Sequence, residues 1–473
     1  MEYGFISVLP PLITIILAFL TKNVFISLFL GLLLGNLVIF DMNIIAAING
    51  SLNGIVAVFE SRGNTIVILV LLLIGALIHI IEKSGGIEGF VKLMVEQKGI
   101  IKSKRAADIF TWLLGVAVFT SGSLSAMVAG SVSRPINNAM KVPHEKSSFI
   151  VHTTTTPVCV LIPLSGWGAS MIGYLTSGGV PEAEATNILI KSISLNFYCL
   201  LVVFGALFIA ISQKDFGPMK QAEIRAKETG QLDARSNENN NAEEIDTKSY
   251  IDAEKPLARN LFVPIGVLIA VIITVLIVTG EGSLIKGDGM TAILWGASVA
   301  LFVSAILCIS QKIYSLDEFM NQAFKGAGGM LSIAMVLVLG FTMGKIVGEI
   351  GTGPYLASIF EQFLNPALLP ALVFVMAMII SFATGTSMGT MAITAVIALP
   401  MAYAMEVNIA LVASAIWGGS IFGDHSSPIS DTTIMSCGTT GCDIMDHINS
   451  QLPYTLIAAG VTFILYIVFG FVM

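Results

Sequence analysis

Residues 417–442 read WGGSIFGDHSSPISDTTIMSCGTTGC. Strongly apolar segments flank this stretch at 407–416 and 454–473, yet it carries Asp424, Asp431, His425 and a dense run of hydroxyls among glycines and Pro428. Such groups are costly at membrane depth unless they face a cavity, a partner or a bound ion. Proline removes a backbone donor and interrupts a helix. The stretch is therefore read as a broken helix lining a transport site.

Composition places that site in a membrane. Hydrophobic residues make up 55% of the 473, charged residues 12%, and the mean hydropathy is +0.86, beyond the balance of a soluble globular chain. The lipid bilayer is the expected surrounding. Many of the charges sit in one polar segment, so the formal charge of −7 says little about partners and gives no sign of nucleic acid. The five cysteines, Cys159, Cys199, Cys308, Cys437 and Cys442, are scattered through apolar runs, an odd number that does not suit a complete disulfide framework. They read as small packing residues. The first apolar run, 5–21, lacks the basic start of a cleaved leader and is expected to remain as a membrane helix.

Apolar runs recur at 5–21, 24–41, 65–83, 107–119, 148–175 and 190–212, and again at 259–279, 291–310, 330–348, 367–382, 388–405, 407–422 and 454–473. A spanning helix needs about 20 apolar residues, so the pattern predicts roughly ten to twelve crossings plus re-entrant pieces. Residues 214–258 mix both charge signs with an Asn cluster at 239–241 and read as a solvated linker, disordered in part or weakly helical.

The two sides of that linker resemble one another. GALIHIIEKSGGIEGFVK at 75–92 parallels GFTMGKIVGEIGTGPYLAS at 340–358, FTSGSLSAM at 119–127 parallels FATGTSMGTM at 382–391, and HTTTTPVCVLIPLSGWG at 152–168 parallels GDHSSPISDTTIMSCG at 423–438. The last match pairs Pro157 with Pro428 and Ser165 with Ser436. Duplicated halves with Gly- and Pro-interrupted apolar segments at matching places mark a secondary transporter whose site lies between repeats. The expected fold is an all-α polytopic membrane protein of two structural repeats, read as inverted, with re-entrant hairpins and interrupted helices. Residues 1–213 form the first transmembrane repeat, 214–258 the polar linker, and 259–473 the second transmembrane repeat with the acidic ion-site motif. Lys98, Lys102, Lys104, Arg105 and the linker are expected on the cytoplasmic face.

Candidate binding residues follow from the motif pairs. Ser121 and Ser123 in the first half, and Thr384, Thr386 and Ser387 in the second, surround glycines beside apolar helices, where unwound backbone and hydroxyls turn neutral oxygens toward one point. Na+ needs such oxygens, and so does a polar solute. The same residues would also allow close helix packing. Thr155 and Thr156 precede Pro157, whereas Asp424, His425 and Ser427 surround Pro428 with Asp431, Thr432 and Thr433 beyond it. Only the second half supplies charge, so it is expected to carry the ion chemistry.

A carboxylate held away from water keeps a proton unless a cation compensates it. Competition between Na+ and H+ at Asp424 or Asp431 would suffice for exchange of the two ions. The plain alternative is a helix cap or a hydrogen-bond partner for nearby hydroxyls. His425 is either a titrating gate or a hydrogen-bonding residue, His79 and His152 read as packing residues, and Arg134, Lys345 and Glu349 as snorkelling charges.

The run FGDHSSPISDTTIMS at 422–436 resembles the signature of the NhaC-type sodium/proton antiporter family, with eight fixed positions in eleven across GD-x-x-SP-x-SDTT. That resemblance implies a secondary transporter of the bacterial inner (cell) membrane, with two inverted repeats, each with a hairpin and an interrupted helix. It matches Asp424, Ser427, Asp431, Thr432 and Thr433 to the family's polar signature, and Thr384, Thr386 and Ser387 to its second polar break. The better-known antiporters of that family tend to have lysine where this chain has His425.

The expected function is Na+/H+ antiport by alternating access, with Asp424 and Asp431 as the Na+ ligands and no cofactor beyond the transported ions. The alternative is Na+-coupled transport of an amino acid or small organic acid. Self-association into a homo-oligomer is open on the sequence. An intramembrane aspartyl hydrolase would leave the duplicated hydroxyl motifs without a role. ATP-driven pumping lacks a phosphate loop, since Gly344-Lys345 is followed by Ile346.

Overall fold

The computed structural model describes residues 3–21, 23–95, 103–119, 122–163, 165–234, 257–282, 287–363 and 365–473, and among them every regular element is helical. Among the described residues, eight helices are long and apolar enough to cross a membrane, or nine with the bent pair His144–Leu161 and Gly166–Ser177 counted as one span. Four of the thirteen apolar runs fall outside this count: 5–21 and 24–41, at Gly4–Ala18 and Val24–Ile39, 107–119, at Lys104–Ala117, and 407–422, at Ile409–Ser426. At a rise of about 1.5 Å per residue these are too short to cover a hydrocarbon core of about 30 Å alone.

The elements that build the interior are α1 (Arg62–Lys83), α2 (Lys104–Ala117), α3 (Gly122–Ala139), α4 (His144–Thr154), α5 (Thr156–Leu161), α6 (Gly166–Ser177), α7 (Phe197–Ser212), α8 (Gly217–Glu228), α9 (Leu331–Glu349), α10 (Leu369–Thr384), α11 (Ser387–Ala404), α12 (Ile409–Ser426), α13 (Asp431–Thr440) and α14 (Ile444–Val472). Helices α2 and α3 pack on one another as a hairpin, as do α10 and α11. The helix that follows each hairpin is interrupted, at 162–165 before α6 and at 427–430 before α13. Ser387 and Asp431 start their helices 265 positions after Gly122 and Gly166 start theirs. The packing is reciprocal: α3 lies on α13, and α6 lies on α11.

This spacing moves the register read from the sequence. Pro157 does not mark the break that matches Pro428. It sits in the first turn of α5, directly after a kink at Thr155 (φ −90°, ψ −94°), a position where a missing N–H costs little. The true interruption is at Pro163.

Local chemistry explains the breaks. Helix α10 ends because Gly385 takes a left-handed conformation (φ +68°), a geometry glycine adopts without penalty. Pro428 restricts Ser427 to extended backbone (φ −84°, ψ 129°) and so closes α12. The freed groups are re-paired: Ser427 Oγ donates to Phe382 O at 2.8 Å, and Thr433 Oγ1 donates to Ser427 O at 2.8 Å.

Helices α10 and α12 approach at backbone distance through two glycines. A Cβ on Gly423 would sit 2.4 Å from both Phe382 N and Ser381 Cβ, and one on Gly419 would sit 2.4 Å from Phe374 O. Gly423→Ala is expected to force these helices apart at a cost of about 1–3 kcal/mol, seen as a lower thermal midpoint of the purified protein. An unchanged midpoint would mean that the two helices separate freely.

The polar segment is only partly a linker. Its first third folds as α8 against α4 and α14, where Arg225 pairs with Glu145 at 2.8 Å and Lys104 of α2 pairs with Glu223. Fully buried Lys146 meets Asp215 at 2.9 Å, Asp108 at 3.2 Å and Glu223 at 3.2 Å. The charges read as solvated therefore serve as partners for charges inside the bundle. The Asn cluster at 239–241, with Lys98 and Lys102, lies outside the described residues.

Candidate functional site

The starts of α3, α6, α11 and α13 meet at one cavity of about 330 Å³. Its wall takes Gly122 and Ser123 from the start of α3, Gly166 and Trp167 from α6, Thr386 and Ser387 from α11, and Asp431 and Thr432 from α13, with Asp424 from the last turn of α12. The rest of the lining is mostly apolar, with Val24, Ile78 of α1, Tyr174 of α6, and Met330, Ile333 and Val336 beside Ser332 at the start of α9. Among the described residues, Asp424 and Asp431 are the only formally charged side chains lining it.

Asp424 is 2% exposed and its carboxylate accepts three hydroxyls. Ser387 Oγ donates to Oδ2 at 3.0 Å, Thr432 Oγ1 donates to Oδ1 at 3.2 Å, and Ser430 Oγ also donates to Oδ1. A hydrogen bond to a charged acceptor is worth about 1.5–3 kcal/mol, while taking a carboxylate from water costs several kcal/mol. Three such bonds roughly offset that cost, so a small further interaction decides what the carboxylate holds. Hydroxyls also have spare lone pairs, and by rotating they can present Na+ with oxygens beside the carboxylate. Asp431 is exposed at the start of α13 and accepts from Thr432 N at 3.0 Å, a favourable place for a negative charge beside the helix dipole.

Other sequence candidates lie behind the wall. Thr384 Oγ1 donates to Ile380 O at 2.8 Å and Thr155 Oγ1 to His152 O at 2.8 Å. Ser427 and Thr433 hold the break. Thr156 is buried beside Gly122 with its hydroxyl unpartnered among the described residues. Ser121 lies outside the described residues. His425, 1% exposed, points away from the cavity, with Nδ1 2.9 Å from Tyr198 OH and Nε2 3.3 Å from Thr153 Oγ1.

Three histidines form a cluster that the sequence did not reveal. His152 Nε2 lies 3.2 Å from Thr432 Oγ1, and its Nδ1 lies 3.0 Å from His447 Nε2. The rings of His152 and His425 meet edge-on at 4.5 Å, and Gln451 donates to His425 O. His152 at least stands next to the hydroxyl run 153–156; His447, Gln451 and Tyr198 belong to no motif and are found only through the packing of α14 and α7.

Residues 158–471 match the Na+/H+ antiporter family. The chain belongs to that family. An uncharacterized protein of Haemophilus influenzae is 31% identical over 98% of this chain and 91% of its own length. The malate-2H(+)/Na(+)-lactate antiporter of Bacillus subtilis is 30% identical over 37% of this chain and 38% of its own. Among solved structures, MtrF of Neisseria gonorrhoeae, described as illuminating a class of antimetabolite efflux pumps, shares the fold with a TM-score of 0.52 at 15% identity, over 90% of this chain and 85% of that one. As a member of the Na+/H+ antiporter family, with its apolar helices, the protein is a multi-pass membrane protein and a secondary transporter rather than an enzyme. That agrees with the family resemblance of residues 422–436.

Proposed function

We propose that the protein exchanges Na+ for H+ at Asp424. The observation that carries this reading is a buried carboxylate held by Ser387, Ser430 and Thr432 at the wall of an interior cavity. Na+ and a proton compete for the same oxygens, and the hydroxyls turn from donors to ligands as one replaces the other. Asp431 adds negative charge nearby and draws the cation in. The hydrogen-bonded series Asp424, Thr432, His152, His447 carries the contact from the carboxylate to His447, fully buried one turn inside the start of α14.

The two halves act as inverted repeats, and access alternates as the hairpin tips and broken helices move against the remaining helices. The α8 end, which holds Lys104, Lys146 and Arg225, faces the cytoplasm under the positive-inside rule. In liposomes enclosing a pH-sensitive dye, an inward Na+ gradient should make the lumen more alkaline as protons leave. No pH change with a correctly folded protein would overturn the reading.

A second reading has its own observation. A cavity of about 330 Å³ with an apolar wall is far larger than one Na+ requires and falls in the range of small-molecule sites. The Bacillus relative is named for exchange that couples organic acids with H+ and Na+. In this reading an organic solute travels with the ion exchange at Asp424.

A further inference from the structure

Three hydroxyls meet the Asp424 carboxylate, and among the described residues Thr432 alone of the three is also held by a histidine. Its Oγ1 lies 3.2 Å from Nε2 of His152. His152 is fully buried on α4 and is not among the residues lining the cavity, so Thr432 is its link to the site.

Gln451 fixes which way the hydrogens run. Its side-chain amide faces the main-chain oxygen of His425, and a carbonyl oxygen only accepts, so the group facing it is the NH2. The same NH2 lies 3.4 Å from His152 Nδ1, which is therefore an acceptor. His447 leads to the same assignment on its own. Its Nε2 is 3.0 Å from His152 Nδ1, while its Nδ1 has no partner among the described residues. A bare ring nitrogen suits an unpartnered buried position better than an N–H does, so His447 donates from Nε2. With Nδ1 of His152 accepting, the hydrogen of its neutral ring sits on Nε2 and points at Thr432.

Thr432 Oγ1 thus accepts from His152 and directs its own hydrogen forward. That hydrogen goes to Asp424 Oδ1 at 3.2 Å, or to Ser430 Oγ at 2.8 Å, whose hydroxyl donates to the same carboxylate oxygen. Both branches deliver a donor to the ionised carboxylate, the form that takes Na+. A protonated Asp424 donates instead, and a Thr432 oxygen with one lone pair already taken by His152 is a poorer place to receive that hydrogen. We propose that His152 is a positioning residue for the Na+ site: its Nε2–H holds the Thr432 hydroxyl as a donor to Asp424 and so favours Na+ over H+ there. The inference rests on reading Asp424 as the exchange site.

The test is calorimetric Na+ binding to the purified full-length protein, with two variants that divide the imidazole. Glutamine carries an amide NH2 to the place of Nε2, whereas asparagine keeps a polar group near Nδ1 and falls short of Thr432. His152→Asn should weaken Na+ binding by about tenfold, the lower end of what a hydrogen bond to a charged group contributes. His152→Gln should stay within about threefold of the parent, since it restores the donor. In a Thr432→Val background, His152→Asn should weaken binding by less than about twofold further, because residues that act through one another are not additive. Parent-like affinity in His152→Asn, or a full further loss without the Thr432 hydroxyl, overturns the proposal. Equal losses in the two His152 variants, failure of both to fold included, mark a packing role and overturn it as well. Na+-driven proton movement by the parent with unchanged Na+ affinity in His152→Asn rejects the positioning role alone. Na+ binding by the parent without proton movement rejects the exchange reading alone, and no Na+ binding by the parent rejects both.

Discussion

Asp424→Asn is expected to lower Na+-driven proton movement in proteoliposomes by at least about 100-fold, equivalent to a loss of about 3 kcal/mol. Asparagine preserves the shape of the side chain but removes both its charge and its exchangeable proton. It also sets an amide NH2 where one carboxylate oxygen accepts from Ser387 or from Ser430 and Thr432. The variant should fold, because those hydroxyls can turn to accept from the amide. Activity above about a tenth of the parent would mean that another group exchanges the ions.

Lys146→Met should produce the largest loss of stability. Lys146 is fully buried with Asp108 and Asp215 within 3.2 Å, and Asp108 is itself fully buried. Removing one member of a buried ion pair leaves an uncompensated charge and costs about 3–5 kcal/mol. Methionine keeps most of the volume, so the loss reports charge rather than packing. Thermal unfolding of the purified protein should show it, and adding Asp108→Asn to Lys146→Met should recover a large part. A loss under about 1 kcal/mol, or no recovery, would show that α8 is held by something other than these charges.

The interrupted helix at 427–430 was legible because Pro428 breaks a helix by local covalent geometry, and the hydroxyl pattern around it has no other use in an apolar segment. The start of α3 at Gly122 and the hairpin tip at 385–387 were legible through glycine for similar reasons. The register between the halves was not. Two prolines compete in the first half, and only packing decides that Pro157 starts a helical turn while Pro163 interrupts the span. Of the site, Asp424 and Ser387 were evident from motifs, but the division between cavity wall and support was not. Ser427, Thr433 and His425 stand as close to the aspartates in sequence as Ser430 and Thr432 do, and the rotation of successive residues around α12 and α13, with the turn at Pro428, sends them elsewhere. Ser430 lies within the same motif, and nothing in the sequence sets it apart from its neighbours. His152, His447, Tyr198 and Gln451 come from three helices far apart in sequence, so no local pattern could join them.

Competition of Na+ and H+ for one carboxylate is tested most directly by adding Na+ to the purified protein in weakly buffered detergent solution and recording the pH. With the parent, Na+ should release close to one proton per bound ion, K+ should release far fewer, and Asp424→Asn should release none. Na+ binding by the parent without proton release, or equal release from Asp424→Asn, would contradict the account.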